Sequence, residues 1–183
     1  MKSWKCLFIS MIIIISCSEP EPRKPIQARS GSFFKESVQR SKKILEAETA
    51  IIEKQIANDS LSEYLSSKSG FWYTYETKID SSGYLPQSND VVFLTYNIMT
   101  LNGDTIYRAP EIGLVEYAVD KTKLFAGLRN GLKLLQQKEK ATFIFPSGQA
   151  YGYKGDTNKI GPNTPIKSSI TILKIKKDSS NLN

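Results

Sequence analysis

Residues 145–173 read FPSGQAYGYKGDTNKIGPNTPIKSSITIL, and this stretch constrains the chain more than any other. An alternating strand (Thr142, Phe143, Ile144, Phe145) is stopped by Pro146. An Ala150-Tyr151-Gly152 corner and a Gly/Pro-rich loop then lead into a second alternating strand, residues 170–175. Such a corner aims a phenol at whatever lies above the strands. For a lone tyrosine the simpler reading is a core ring whose hydroxyl reaches the surface.

The chain has 183 residues, room for one ordinary domain and an extension. Its beginning carries Lys2 and Lys5, then the apolar run 7–15, then Ser16 and Cys17, the charged, apolar and small-residue layout of a secretory signal. The run is shorter than the roughly 20 residues a spanning helix needs. Ile14-Ile15-Ser16-Cys17 resembles a bacterial lipobox, with isoleucine for the commoner leucine three places before Cys17. We therefore expect a signal peptide at 1–16, lipidation at Cys17, and a cell-envelope protein anchored by lipid on the periplasmic side or at the outer membrane. Cleavage there removes Cys6 and consumes Cys17, so no disulfide supports the mature fold.

Histidine is absent from the chain. That excludes Ser-His-Asp and Cys-His catalysis, His-ligated zinc and the usual proton shuttle near neutral pH. We expect no metal and no cofactor. Without Lys2 and Lys5, 23 basic and 18 acidic residues leave a charge of +5, scattered rather than gathered into a stripe with exposed aromatics. This is a solvated surface, not a nucleic-acid interface.

Residues 17–31 contain Pro20, Pro22 and Pro25 and almost nothing apolar, the composition of a tether. Residues 32–66 are expected to be an N-terminal helix with Phe34, Val38, Leu45, Ile52 and Ile56 on one face; Ser60 would cap a last turn. That face packs on its own domain or forms a seam with a partner, and the oligomeric state is left open. The remainder, 69–177, reads as β-rich. Strands are expected at 70–77, 91–101, 105–107 and 112–119, with a hairpin turn at Asn102-Gly103. A helix is expected over 124–135, with Gly127 and Gly131 facing a sheet, and a polar tail at 178–183. The fold class is α+β: a twisted antiparallel sheet curled over one short helix, with an N-terminal helical extension.

The Ala-Tyr-Gly corner follows Phe125-Ala-Gly-Leu-Arg-Asn-Gly-Leu132 at an unbroken interval, and together the two runs resemble those of the FKBP-type peptidyl-prolyl isomerases. The resemblance implies an FKBP-like domain over about 69–177 and Xaa-Pro segments of exported proteins as partners. It gives Tyr151 the role of bonding the peptide carbonyl and makes Tyr96 the pocket tyrosine of the second strand. Leu124 and Phe125 would contact substrate, and Ile160 would lie in the loop over the proline. Leu128 stands where the family has a floor tryptophan. Ile106-Tyr107 replaces a Phe-Asp pair, removing the pocket carboxylate, and Ser168 or its neighbour replaces an aromatic in the last strand. The lipobox, helix and single domain, with the hairpin Gly103-Asp104-Thr105-Ile106-Tyr107, resemble the gliding-motility-associated lipoproteins of gliding bacteria. Isomerisation requires neither nucleophile nor metal, since an apolar pocket and one donor suffice to favour the twisted amide. The alternative is a weak or inactive module that keeps the fold and binds an extended partner.

Overall fold

The computed structural model describes residues 30–79 and 82–181. The proposed signal peptide, Cys17 and nearly all of the tether lie outside the described residues. The chain divides into two units, 1–36 and 37–183. Of the first, the opening turns of a helix are described; the second holds the rest of that helix and the sheet.

Helix α1 spans Ser30–Asn58. It ends short of the expected residue 66 because Asp59 turns the chain instead: its carboxylate accepts from the Leu61 N–H at 3.3 Å and from the Tyr64 hydroxyl at 3.3 Å. Ser60 does not cap a further helical turn, and Leu65–Ser66 forms strand β1. The apolar stripe is only half used. Ile52 is fully buried, whereas Val38, Leu45 and Ile51 remain exposed.

The other strands are β2 (Trp72–Thr77), β3 (Val91–Tyr96), β4 (Ile98–Met99), β5 (Thr105–Tyr107), β6 (Val115–Ala118), β7 (Lys140–Phe145) and β8 (Ile166–Lys176). They pair antiparallel throughout, in the order β1-β2-β7-β8-β3-β6, and β4 joins β5 to β8. The expected strand at 91–101 is broken at Asn97. Its side-chain oxygen accepts from the Ser169 N–H at 2.8 Å and its carbonyl accepts from the Ser168 hydroxyl at 2.6 Å, so the side chain takes over part of the ladder. The expected strand at 112–119 divides into a helical turn, α2 (Ala109–Ile112), which opens with Pro110, and the shorter β6.

Helix α3 (Ala126–Leu132) lies across the inner face of the sheet. Its two glycines make this possible. A methyl group at Gly127 would stand 2.9 Å from the Gln149 carbonyl oxygen and overlap the Phe145 ring, and one at Gly131 would stand 2.9 Å from the Phe143 ring. Strands β3 and β8 alternate between buried and part-exposed positions, as a sheet with one core face must. Strand β7 is buried on both faces: Ala141, Phe143 and Phe145 join the main core, while Ile144 closes a cavity with Ile51 and Ile56 of α1 on the other side. The observed architecture is the α+β arrangement expected, with the short helix on the concave side of an antiparallel sheet.

Candidate functional site

A line of ring contacts runs out of the core to the Tyr151 corner. Phe143 stacks on Phe145 at 5.5 Å, Phe145 meets Phe125 edge-on at 5.5 Å, and Phe125 meets Tyr151 at 5.3 Å and Tyr96 at 6.5 Å. The three rings at its outer end are placed by three different parts of the chain. Tyr96 ends β3, Phe125 is the residue before α3, and Tyr151 lies between two 3₁₀ turns, Ser147–Gln149 and Gly152–Lys154. The cluster thus forms only when sheet, helix and corner are assembled.

The two tyrosines are apolar in surroundings yet polar at their tips. Tyr96 is 8% exposed and Tyr151 is half-buried, and neither hydroxyl has a hydrogen-bond partner among the described residues. Burial raises the pKa of both phenols. For Tyr151 the neighbouring Tyr96, Asp156 and Tyr107 add to the effect of burial. Both remain neutral hydrogen-bond donors well past neutral pH.

The rim beside them is built differently. Tyr107 of β5 donates its hydroxyl to Asp156 Oδ2 and accepts from Asn158 Nδ2 at 3.1 Å. Asp156 Oδ1 accepts from the N–H groups of Asn158 at 2.9 Å and Ile160 at 2.8 Å, folding the loop that carries Ile160. Burial opposes ionisation of Asp156, but these donors outweigh it and hold the carboxyl below its ordinary value. The same bond, with burial, pushes the Tyr107 phenol up. Lys159 lies 4.5 Å over the Tyr107 ring and pairs with Glu111 at 2.6 Å. Gly155 closes the loop at φ 70°, a position where a side chain would collide with the Ile160 carbonyl oxygen.

Of the residues singled out from the sequence, Tyr96, Phe125 and Tyr151 come together. Leu124, Ile106 and Tyr107 are partly buried and packed on the same core; Ile160 is buried within it. Leu128 is also brought into this core, but it is fully buried and presents no surface to a ligand. Ser168 is buried and committed to the Asn97 carbonyl. Asp156 escaped the sequence reading. Residue 107 no longer carries a carboxylate, yet one returns from the loop and meets the Tyr107 hydroxyl. The run Gly155-Asp156-Thr157-Asn158 held the signal, because Asp after Gly in a loop is a common way to close a turn with a side chain. Glu48 was likewise passed over, although it lies on the apolar face of α1 between Leu45 and Ile52.

Residues 83–173 match the family model of the FKBP-type peptidyl-prolyl cis-trans isomerases. The chain is 27% identical over 101 residues, 55% of its length, to the probable FKBP-type peptidyl-prolyl cis-trans isomerase FkpA of Neisseria meningitidis serogroup B, of which it spans 37%. Among solved structures it is similar to a peptidyl-prolyl cis-trans isomerase from Pseudomonas syringae pv. tomato (TM-score 0.60, 20% identity, covering 75% of this chain and 96% of that one). It is also similar to FkpA from Escherichia coli (TM-score 0.58, 18% identity, covering 94% of this chain and 82% of that one). At these identities the two structures speak to the fold alone, and the fold is the same antiparallel sheet over a short helix. The matched segment reaches from the loop before β3 into β8 and includes Tyr96, Phe125 and Tyr151, and this part of the chain belongs to the FKBP-type peptidyl-prolyl cis-trans isomerase family.

Proposed function

We propose that this protein is a lipid-anchored peptidyl-prolyl cis-trans isomerase of the cell envelope, acting on Xaa-Pro segments of exported proteins. The observation that carries the isomerase reading is the pair of neutral phenols, Tyr96 and Tyr151, which flank the Phe125 ring and whose hydroxyls have no hydrogen-bond partner among the described residues. An amide twisting about its C–N bond loses conjugation and faces a barrier of about 18–20 kcal/mol. Aromatic walls favour the less polar twisted form, and a phenol that keeps its proton holds a carbonyl while the proline ring turns. No proton is transferred in this step.

The lipid anchor is inferred from Ile14-Ile15-Ser16-Cys17 and the residues before it. Several acyl chains on Cys17 would hold the protein stably where a single chain would not. A place in the gliding machinery is supported by the domain layout and the Gly103–Tyr107 hairpin residues. Fractionation of a Cys17→Ala variant tests the anchor; a protein still membrane-bound with unchanged processing removes it.

A protease-coupled assay of the full chain on Xaa-Pro tetrapeptides tests the activity. Measurable turnover is expected. Absence of turnover on every Xaa-Pro peptide would favour the second reading, a peptide-holding module, for which the buried Leu128 and the fully engaged Tyr107 hydroxyl speak.

A further inference from the structure

Glu48 and Ser147 are 99 positions apart and both more than nine-tenths buried. Glu48 Oε2 accepts from the Ser147 N–H at 2.7 Å, and Oε1 accepts from the Ser147 hydroxyl at 2.6 Å. Ser147 opens the 3₁₀ turn that ends one residue before Ala150 and Tyr151. A helical turn leaves its first N–H groups without internal partners, and a side chain just ahead usually supplies the acceptor. Here that position is Pro146, whose side chain has nothing to offer. The acceptor comes instead from α1.

We infer that Glu48 is a positioning residue for Tyr151, and that α1 thereby sets the geometry of the site; for its effect on turnover this rests on the isomerase reading above. Sequence near the corner does little to fix it. Gly148 lies inside the turn and Gly152 follows Tyr151, the second at φ 65°, and flexible residues hold a direction only when something distant pins them. Two clamps do so. The Gln149 carbonyl lies against α3 at Gly127, and the Ser147 donors are held by α1 through a carboxylate, whose hydrogen bonds are stronger than those of a neutral acceptor. Between the clamps, the N–H groups of Gln149 and Ala150 donate to the Pro146 carbonyl at 2.9 and 3.2 Å, so the turn moves as one piece. Tyr151 follows directly and meets Phe125 at 5.3 Å. A turn released at Ser147 would swing the phenol by its own flexibility.

The test uses the full chain and three variants: Glu48→Ala, Glu48→Gln and Ile52→Ala. Ile52 is fully buried one turn further along α1 and carries no hydrogen-bonding side chain, so it serves as the control for a merely structural helix. Turnover and KM on an Xaa-Pro peptide are measured well below every melting temperature, with amide exchange at Ser147, Gln149 and Ala150. Glu48→Ala is expected to lower kcat on the order of 10-fold, as small displacements at an active site do, and to speed exchange at those three amides. Glu48→Gln keeps an acceptor and should regain part of the loss. Ile52→Ala should lower the melting temperature and leave kcat and corner exchange unchanged. Where Glu48→Ala fails to fold, Glu48→Gln alone should still show the raised exchange and reduced kcat. The inference is overturned if the Glu48 variants keep the parent kcat and corner exchange, or if Ile52→Ala loses as much of both. Should the parent protein show no turnover, the isomerase reading fails by itself and amide exchange alone decides the positioning role.

Discussion

The aromatic cluster and the rim beside it hold tyrosines of the same kind in opposite states. Tyr96 and Tyr151 sit among rings with hydroxyls that no described residue bonds, while Tyr107 has its hydroxyl bonded on both sides, to Asp156 and Asn158. A hydroxyl already satisfied inside the protein gains little from a substrate, because one hydrogen bond is merely exchanged for another. The free phenols are therefore the ones able to bind a carbonyl, and the bonded phenol is the one that holds the loop. Position in the family pattern does not distinguish them; hydrogen-bond bookkeeping does.

That contrast can be broken most forcefully at its hinge. Phe125→Ala removes the ring touching Tyr96, Tyr151 and Phe145 together, and should cost about 3 kcal/mol of stability with loss of turnover in the remaining folded protein. Chemical denaturation with an activity assay at low denaturant checks both. A variant as stable as the parent would mean that the cluster is not a packed unit.

Asp156→Ala acts on the rim alone. It strips acceptors from Tyr107, Asn158 and Ile160, so about 1–2 kcal/mol should be lost, with a higher KM because the Ile160 loop loosens. An unchanged KM would separate that loop from substrate binding.

The sharpest comparison is Tyr151→Phe against Tyr107→Phe. The first should leave stability intact and reduce kcat/KM by about 0.5–1.5 kcal/mol, roughly two- to twelvefold. The second should cost a similar amount of stability, with a smaller effect on turnover. Equal effects of both on turnover would erase the distinction between free and bonded hydroxyls.

The smallest expected effect is that of pH. Asp156 is held below its ordinary value of 3.8, so its contribution to stability is present above that value and fades as pH falls through the lower folded value. Tyr151 is raised above 10.0, so its contribution is complete below that value and fades as pH rises through the higher folded one. Neither titrates between about pH 5 and 9, and the chain has no histidine, so turnover should be flat there. An inflection near pH 6–7 would require an acid or base that this mechanism does not use.

Much of the arrangement could be read from the chain because its signals are local. Apolar, β-branched runs announced β3 and β7, although β7 is buried on both faces and does not alternate as expected; a period-two pattern announced β8, Gly127 and Gly131 announced a helix pressed on a sheet, and the Ala150-Tyr151-Gly152 corner announced a directed phenol. Backbone sterics and burial act over a few residues, and a sequence carries them openly. Where β3 breaks at Asn97 and why Ser147 is fixed depend on side chains that find acceptors or donors far along the chain. Nothing local in the sequence ties Glu48, a charge on the apolar face of α1, to Ser147, or Asp156, a polar residue in a loop, to Tyr107. Only the folded chain shows that Glu48 satisfies two buried donors and that Asp156 gathers three donors of the rim. A hydrogen bond is specified by position in space, and its partners 99 residues apart leave no periodic trace in the sequence.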